Sequence, residues 1–166
     1  EKPPLLVQDA INGNTAGVAP YIPMNLIESA GNSAIVVSFK IKRMARANFA
    51  YVLSLNTVAN GEVTDVATAI ARPLPNDATK FTLTWRGQIR NVYIDGQPCA
   101  SGKTVYNIAD VHTIAMDGVF TSKNIVFGPF NYNQVANVEY ANLRIFRHIA
   151  KDDQALANLS TNSVTW

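Results

Sequence analysis

The stretch "FTLTWRGQIRNVYIDGQPCASG", residues 81–102, contains the most regular apolar alternation in the chain. Apolar residues occupy every second position, first at Phe81, Leu83 and Trp85 and then at Val92 and Ile94. This period of two is that of a β-strand with one buried face. The Asp95-Gly96 step favours a tight type I′ hairpin turn, because both central residues of that turn need positive φ. The stretch therefore predicts strands that pack in a core, and it holds no acid, base or nucleophile placed for chemistry.

Further segments with the pattern of β-strands, separated by Gly, Asn or Pro residues, occur along the rest of the chain. They are residues 33–42, 49–55, 63–73, 111–116, 123–127 and 138–148. One short helix is predicted at 151–159, because Asp152 and Asp153 suit the positive end of a helix dipole. The chain is therefore predicted to be all-β, an antiparallel β-sandwich of the jelly-roll type with one short helix near the C-terminus. The residues predicted to be buried are Phe39, Leu53, Leu83, Trp85, Val92, Ile94, Leu143 and Ile145.

The domain organisation follows from length and from the distribution of proline. The 166 residues suffice for one substantial core. Residues 1–32 contain four prolines and a Gly/Asn-rich segment, and we expect an irregular N-terminal arm there. Leu5–Val7 would anchor this arm along the sandwich edge or against another chain. We expect residues 33–166 to form the β-sandwich domain. Because the sequence starts at Glu1, we expect a processed product or part of a longer chain.

Charge and hydropathy narrow the classes of partner. A formal net charge of +2 does not predict a nucleic-acid-binding protein, and no apolar run approaches the roughly 18 residues that span a bilayer. The basic cluster of Lys40, Lys42, Arg43 and Arg46 could contact a polyanion, but strand alternation favours solvated charge on an outer face. Cys99 is the only cysteine, so no internal disulfide can form, and a semi-buried structural role is predicted for it.

Two stretches resemble the laminin-G-like, concanavalin A-like lectin and glucanase domains. The first, residues 79–102, contains a strand that ends in the turn Tyr93–Gly96. The second, residues 125–156, contains the apolar-x-Gly step Val126–Gly128 and the strand at Leu143–Phe146, which leads into an acidic short helix. Residues 33–43 look like an early core strand of the same domains. This resemblance covers roughly residues 33–160 and implies a jelly-roll sandwich. The calcium-ligating carboxylates frequent in the family cannot be identified here.

Catalytic and metal-binding patterns are absent from the sequence. No glutamate belongs to the Glu-x-Asp-x-x-Glu motif of jelly-roll glycan hydrolases, and neither His112 nor His148 accompanies a Gly-x-Ser-x-Gly elbow. We therefore expect no catalytic residues, no enzyme activity, no cofactor and no metal site. One alternative stays open: Asp110 or Asp117 could bind calcium together with backbone carbonyls.

The loop at residues 128–137 is the candidate ligand site. Its residues Phe130, Asn131, Tyr132, Asn133 and Gln134 combine aromatic rings with amides. Sugars present apolar faces and hydroxyls, which suit aromatic platforms and amides respectively. The alternative is a structural loop whose rings pack on the sandwich edge.

Two functions are predicted from these features. The first is a non-catalytic carbohydrate-binding or adhesion module of a larger surface, secreted or virion protein. The second is a structural or assembly module, such as a decoration or fibre domain of a phage or other viral particle. The expected partner is a glycan or a neighbouring protein subunit, with no nucleic acid and no membrane insertion. The expected location is extracellular, at a cell surface or in a virion.

Overall fold

The computed structural model describes residues 5–7, 21–23, 31–43, 50–59, 62–121, 124–127 and 137–161. The described part contains twelve β-strands and one α-helix. The strands are β1 (Leu5–Val7), β2 (Tyr21–Pro23), β3 (Ser33–Arg43), β4 (Ala50–Ala59), β5 (Glu62–Leu74), β6 (Asp77–Gly87), β7 (Ile89–Ile94), β8 (Gln97–Pro98), β9 (Val105–Asn107), β10 (His112–Gly118), β11 (Asn124–Val126) and β12 (Asn137–Phe146), and the helix is α1 (Asp153–Leu159).

The strands form two six-stranded sheets. The order in sheet A is β1-β12-β3-β10-β7-β8, and the order in sheet B is β2-β11-β4-β5-β6-β9. All of the strand pairs are antiparallel. The predicted fold class, an antiparallel β-sandwich with one short helix near the C-terminus, is confirmed. The described residues contain no helix long and apolar enough to cross a membrane.

The stretch at residues 81–102 contributes a strand to each sheet. Strand β6 belongs to sheet B and β7 to sheet A, so the chain passes between the sheets at Gly87, whose φ is 81°. The hairpin is thus smaller than the sequence suggested, because β7 pairs with the two-residue β8 and not with β6. Asp95 (φ 54°) and Gly96 (φ 83°) form the turn between them, as predicted for a type I′ connection.

The core lies between the two sheets and follows the predicted alternation. Five of the eight residues predicted to be buried are so, and Trp85, Leu143 and Ile145 are half-buried against the same core. Phe39 of sheet A meets Phe81 of sheet B edge-to-face, with ring centroids 6.3 Å apart. The pair shows how the inward rows of the two sheets interlock.

Helix α1 covers part of the other face of sheet A. Asp152 caps it, since its Oδ1 accepts hydrogen bonds from the backbone N–H groups of Gln154 and Ala155. Leu156 is fully buried and packs in a small second cluster with Val36 and Ala115, on the side of sheet A opposite the main core. The acidic helix start predicted from the sequence therefore does stabilise this helix.

Two short strands from the first 32 residues close sheet edges. Strand β1 pairs with β12, and Leu5 lies opposite Tyr140. Strand β2 pairs with β11, and Ile22 lies opposite Ile125. The division of the chain at residue 32 stays a prediction.

Candidate functional site

Small polar side chains lie on the outer face of sheet B, where β4 and β5 are neighbours. Leu53, Leu55 and Ala67 of these strands belong to the core. Alternation therefore directs Ser54 and Thr68 to the opposite face, and the register places these two residues directly across from each other. Asn56 follows on the same side of β4. We call Ser54, Asn56 and Thr68 the polar triplet.

The polar triplet is buried although it faces away from the core. The exposed fractions are 0% for Ser54, 0% for Asn56 and 1% for Thr68. The two hydroxyls and both polar atoms of the Asn56 amide lack a hydrogen-bond partner in the described part of the chain. A buried polar group without a partner costs on the order of 1–3 kcal/mol, so such a group calls for an explanation.

The same face continues into a more accessible half on β6. Thr84 lies opposite Ile70, and both Thr82 and Thr84 are half-buried. Arg86 lies opposite Thr68 and is exposed. The face thus carries hydroxyls, one amide and a guanidinium, which are groups that donate or accept hydrogen bonds. Such a set fits a ligand rich in hydroxyl groups.

The strand on the other side of β4 connects this face to the predicted ligand loop. Val126 of β11 lies opposite Ser54, and Asn124 lies opposite Asn56. The chain enters residues 128–136 directly after Phe127. The five residues predicted to bind a ligand, 130–134, lie outside the described residues, and their role stays a prediction.

Sequence reasoning missed the polar triplet. The alternation in "VLSLN" and "VATAI" does place Ser54 and Thr68 away from the apolar row. Burial on the outer face left no sign in the sequence, since small polar residues on an outer strand face are ordinarily taken to be solvated.

His112 is held between two acceptors. Its Nδ1 lies 2.6 Å from Oδ2 of Asp95, and its Nε2 lies 2.7 Å from the carbonyl oxygen of Asn107. A carbonyl oxygen can only accept, so Nε2 carries a proton, and a proton on Nδ1 as well satisfies the carboxylate. Burial lowers the pKa of His112, but the hydrogen bonds that the imidazole donates to Asp95 and Asn107 and the nearby negative charges outweigh this effect, so the pKa of His112 is raised overall.

Three aromatic rings surround the same imidazole. The ring centroids of Phe39, Phe81 and Tyr106 lie 5.7, 5.6 and 5.6 Å from that of His112. Aromatic rings attract a cation at such distances. His112 therefore joins the core to the Asp95-Gly96 turn.

Asp117 is buried, and donors surround its carboxylate. Its Oδ2 accepts hydrogen bonds from Nδ2 of Asn32 at 2.9 Å and from two nitrogens of Arg90, while Oδ1 accepts from the backbone N–H of Asn91 at 3.1 Å. Both carboxylate oxygens of Asp117 are thus bonded to donors of the protein, one of which is the charged guanidinium of Arg90. Asp110 accepts a hydrogen bond from Nδ2 of Asn107. The described residues contain no group of three or more His, Cys, Asp or Glu that could hold a metal ion.

Lys42 and Cys99 were also singled out in the sequence, and the structure describes both. Lys42 is exposed on the outer side of β3 and forms an ion pair with Glu139, with the atoms 3.2 Å apart. Cys99 is buried, and its burial raises the pKa of the thiol. These placements agree with solvated outer-face charge for Lys42 and a structural role for Cys99.

Comparison with known proteins gives a distant likeness of fold. No family model and no curated protein matches the chain. A solved structure that matches is an alginate lyase from Pseudomonas aeruginosa, with 9% sequence identity and a TM-score of 0.45, over 75% of this chain and 68% of the lyase chain. The two antiparallel sheets confirm the coarse fold only, a β-sandwich. The prediction that this chain is not an enzyme is corrected, because an enzyme is among the solved structures that match the chain.

Proposed function

We propose that this domain is a carbohydrate-binding module whose ligand contacts the outer face of sheet B. The observation that carries the proposal is the polar triplet, with four buried polar atoms that lack partners in the described residues. Polar groups left unpaired at a cost in stability are often retained for function. A ligand that supplies the missing hydrogen bonds would recover this cost on binding.

A sugar is the class of ligand that these atoms fit. Each sugar hydroxyl both donates and accepts, as do the hydroxyls of Ser54 and Thr68 and the amide of Asn56. Ile70 and the methyl groups of Thr82 and Thr84 lie on the same face and suit the apolar side of a sugar ring. The predicted loop residues 130–134, which follow β11 in the chain, would add aromatic stacking from Tyr132.

Access to the buried atoms is part of the proposal. The triplet is closed to solvent in this structure, whereas Arg86 and the neighbouring threonines are accessible. The first contact with a sugar is therefore made on β6, and the triplet takes part once the face opens. Binding then selects the open arrangement.

The test combines a glycan array with variants that differ only in buried hydroxyl groups. Ser54→Ala and Thr68→Val, combined in one protein, remove the unpaired hydroxyls and almost no volume. We expect loss of binding to every glycan that the parent binds. Ser38→Ala is the matched control, because the Ser38 hydroxyl is also fully buried but bonds Thr113 at 2.8 Å within sheet A. We expect the control to bind glycans as the parent does.

Two results would contradict the proposal. If the parent protein binds no glycan, the alternative hypothesis of an assembly module is favoured. Size-exclusion chromatography with light scattering would then measure the oligomeric state that this alternative predicts. If the double variant binds a glycan as well as the parent does, the binding site does not lie on the outer face of sheet B. The loop variant Tyr132→Ala would then test residues 130–134.

A further inference from the structure

Two arginines lie on the outer face of sheet B, beside the sugar site proposed above. Arg72 follows Ala71 on β5, and Arg86 follows Trp85 on β6. Ala71 belongs to the core and Trp85 packs against it, so alternation directs both arginines to the opposite face of the sheet. Both arginines are exposed. The outer face of sheet B therefore carries two guanidinium groups that a ligand can reach from solvent.

The register places the two arginines on either side of one cross-strand pair. Ile70 of β5 lies opposite Thr84 of β6. Arg72 is two residues beyond Ile70, and Arg86 is two residues beyond Thr84, at the end of the face where it lies opposite Thr68 of the polar triplet. Because a strand rises about 3.3 Å per residue, the backbone positions of the two arginines are roughly 13 Å apart along the strands.

The strands of this face carry little negative charge. Among the residues of β4, β5, β6 and β9 whose side chains the structure describes, Asp77 is the one carboxylate. It lies at the tip of the β5–β6 hairpin and accepts hydrogen bonds from Thr79. Val105 of β9 lies opposite Thr82, and 48% of it is exposed. The face thus combines two cations with half-buried hydroxyls and an exposed apolar side chain.

A guanidinium group suits a carboxylate better than it suits a neutral hydroxyl. Arg72 and Arg86 also interact with other residues of the protein. Each has five N–H donors, so a contact within the protein leaves donors for a ligand. The planar fork of these donors matches the two oxygens of a carboxylate and binds them with two parallel hydrogen bonds. Charge on both partners makes such bonds stronger than those to a neutral acceptor.

We propose that the ligand of the outer face of sheet B is an acidic oligosaccharide, with the carboxylates of its uronic acid residues on Arg72 and Arg86. This inference rests on the proposed function, because the hydroxyls of the same sugar chain bind the threonines and the polar triplet. The separation of the two arginines favours several linked uronic acid residues over a single sugar. The chain then lies along β5 and β6 and crosses the pair of Ile70 and Thr84.

The first test compares acidic glycans with neutral glycans of the same backbone on an array. The probes are oligosaccharides of polygalacturonate, of polyglucuronate and of hyaluronan, each beside its carboxyl-reduced form. We expect the parent protein to bind an acidic form and to bind the matching reduced form at least about tenfold more weakly, as for the loss of hydrogen bonds to a charged group. Galacturonic acid alone should bind more weakly than its oligosaccharide. Added salt should weaken binding of the acidic form, because salt screens exposed charges.

Two double variants assign the charge. Arg72→Gln combined with Arg86→Gln should weaken binding of the acidic form by about tenfold or more and leave binding of the reduced form unchanged. Arg147→Gln combined with Lys151→Gln is the matched control, because it removes the same charge from exposed residues in the link between β12 and α1. The control should bind every probe as the parent does. Circular dichroism shows whether each variant is folded, and the parent's choice between acidic and reduced forms decides the proposal if the arginine variant is not.

The other outcomes separate this inference from the proposed function. If the parent binds neutral glycans only, or binds acidic and reduced forms equally, the sugar site stands and the acidic ligand is wrong. If the arginine variant binds the acidic form as the parent does, the carboxylates do not lie on Arg72 and Arg86. Equal losses in the two double variants would reduce the effect to net charge. A parent that binds no glycan overturns the proposed function, and this inference falls with it.

Discussion

Ser54 and Thr68 lie opposite each other across β4 and β5, yet their buried hydroxyls meet no hydrogen-bond partner in the described part of the chain. Ser38 and Thr113 are the same kind of pair across β3 and β10, and their hydroxyls are 2.8 Å apart. Both pairs are buried. The two sheets therefore contain one satisfied and one unsatisfied version of the same cross-strand pair.

The first prediction compares the stability of these two pairs. The double change Ser54→Ala and Thr68→Val should leave the free energy of unfolding unchanged or raise it by up to about 1 kcal/mol, because it removes unpaired buried polar groups. Ser38→Ala should lower the same free energy by about 1 kcal/mol, because it breaks a made hydrogen bond. Urea unfolding followed by tryptophan fluorescence measures both. A double variant less stable than Ser38→Ala would show that Ser54 and Thr68 are well satisfied in solution.

The second prediction concerns Gly118, where β10 carries an irregularity in its pairing with β7. A Cβ atom at this position would lie inside van der Waals contact with the carbonyl oxygen of Gln88, a backbone atom that cannot swing away. Gly118→Ala should therefore lower the free energy of unfolding by about 2–3 kcal/mol.

Gly102→Ala is the control for this change. Gly102 has φ of 72°, but its added Cβ would meet only the Thr84 side chain, at 3.6 Å. Gly102→Ala should therefore lower the free energy of unfolding by only about 1 kcal/mol, the cost of a left-handed backbone conformation for a residue with a Cβ atom. Thermal unfolding of the two variants gives the ranking, and a less stable Gly102→Ala would contradict the close approach at Gln88.

The third prediction concerns the buried carboxylate of Asp117. Arg90→Ala leaves that carboxylate with its amide donors, Asn32 and the backbone of Asn91, but without a positive partner. The free energy of unfolding should fall by about 3 kcal/mol, as for other buried ion pairs that lose one member. Adding Asp117→Asn should recover part of this loss, because the buried charge is gone. Denaturant unfolding at pH 7 measures both variants, and an Arg90→Ala protein as stable as the parent would show that Asp117 is hydrated.

The period-two pattern predicted the inward rows and the fold class because burial on one strand face is a local signal. The acidic start of α1 at Asp152 was predictable because it is a local signal as well. The passage of the chain between sheets at Gly87 was not, since one glycine between two apolar rows reads equally well as a hairpin turn. The polar triplet was not predicted either, because burial of an outer strand face depends on distant parts of the chain. The pairing of His112 with Asp95 was not predicted, because the two residues are distant in the sequence and the β7–β8 turn brings them together.

The last prediction uses pH to test the pairing of His112 with Asp95. The pKa of His112 is raised in the folded protein, so the imidazolium stabilises the fold fully below about pH 6.5, the ordinary value for histidine. This contribution is lost as the pH rises through the higher folded pKa, and the free energy of unfolding should fall over that window.

Asp95→Asn removes the charge and keeps a residue that tolerates the positive φ of the turn. At pH 6 the variant should be less stable than the parent by about 2 kcal/mol, the size of a hydrogen bond to a charged group. Its stability should also depend less on pH between 6 and 9, as measured by urea unfolding at each pH. If the parent instead gains stability across this window, His112 is neutral in the folded protein and the pairing fails.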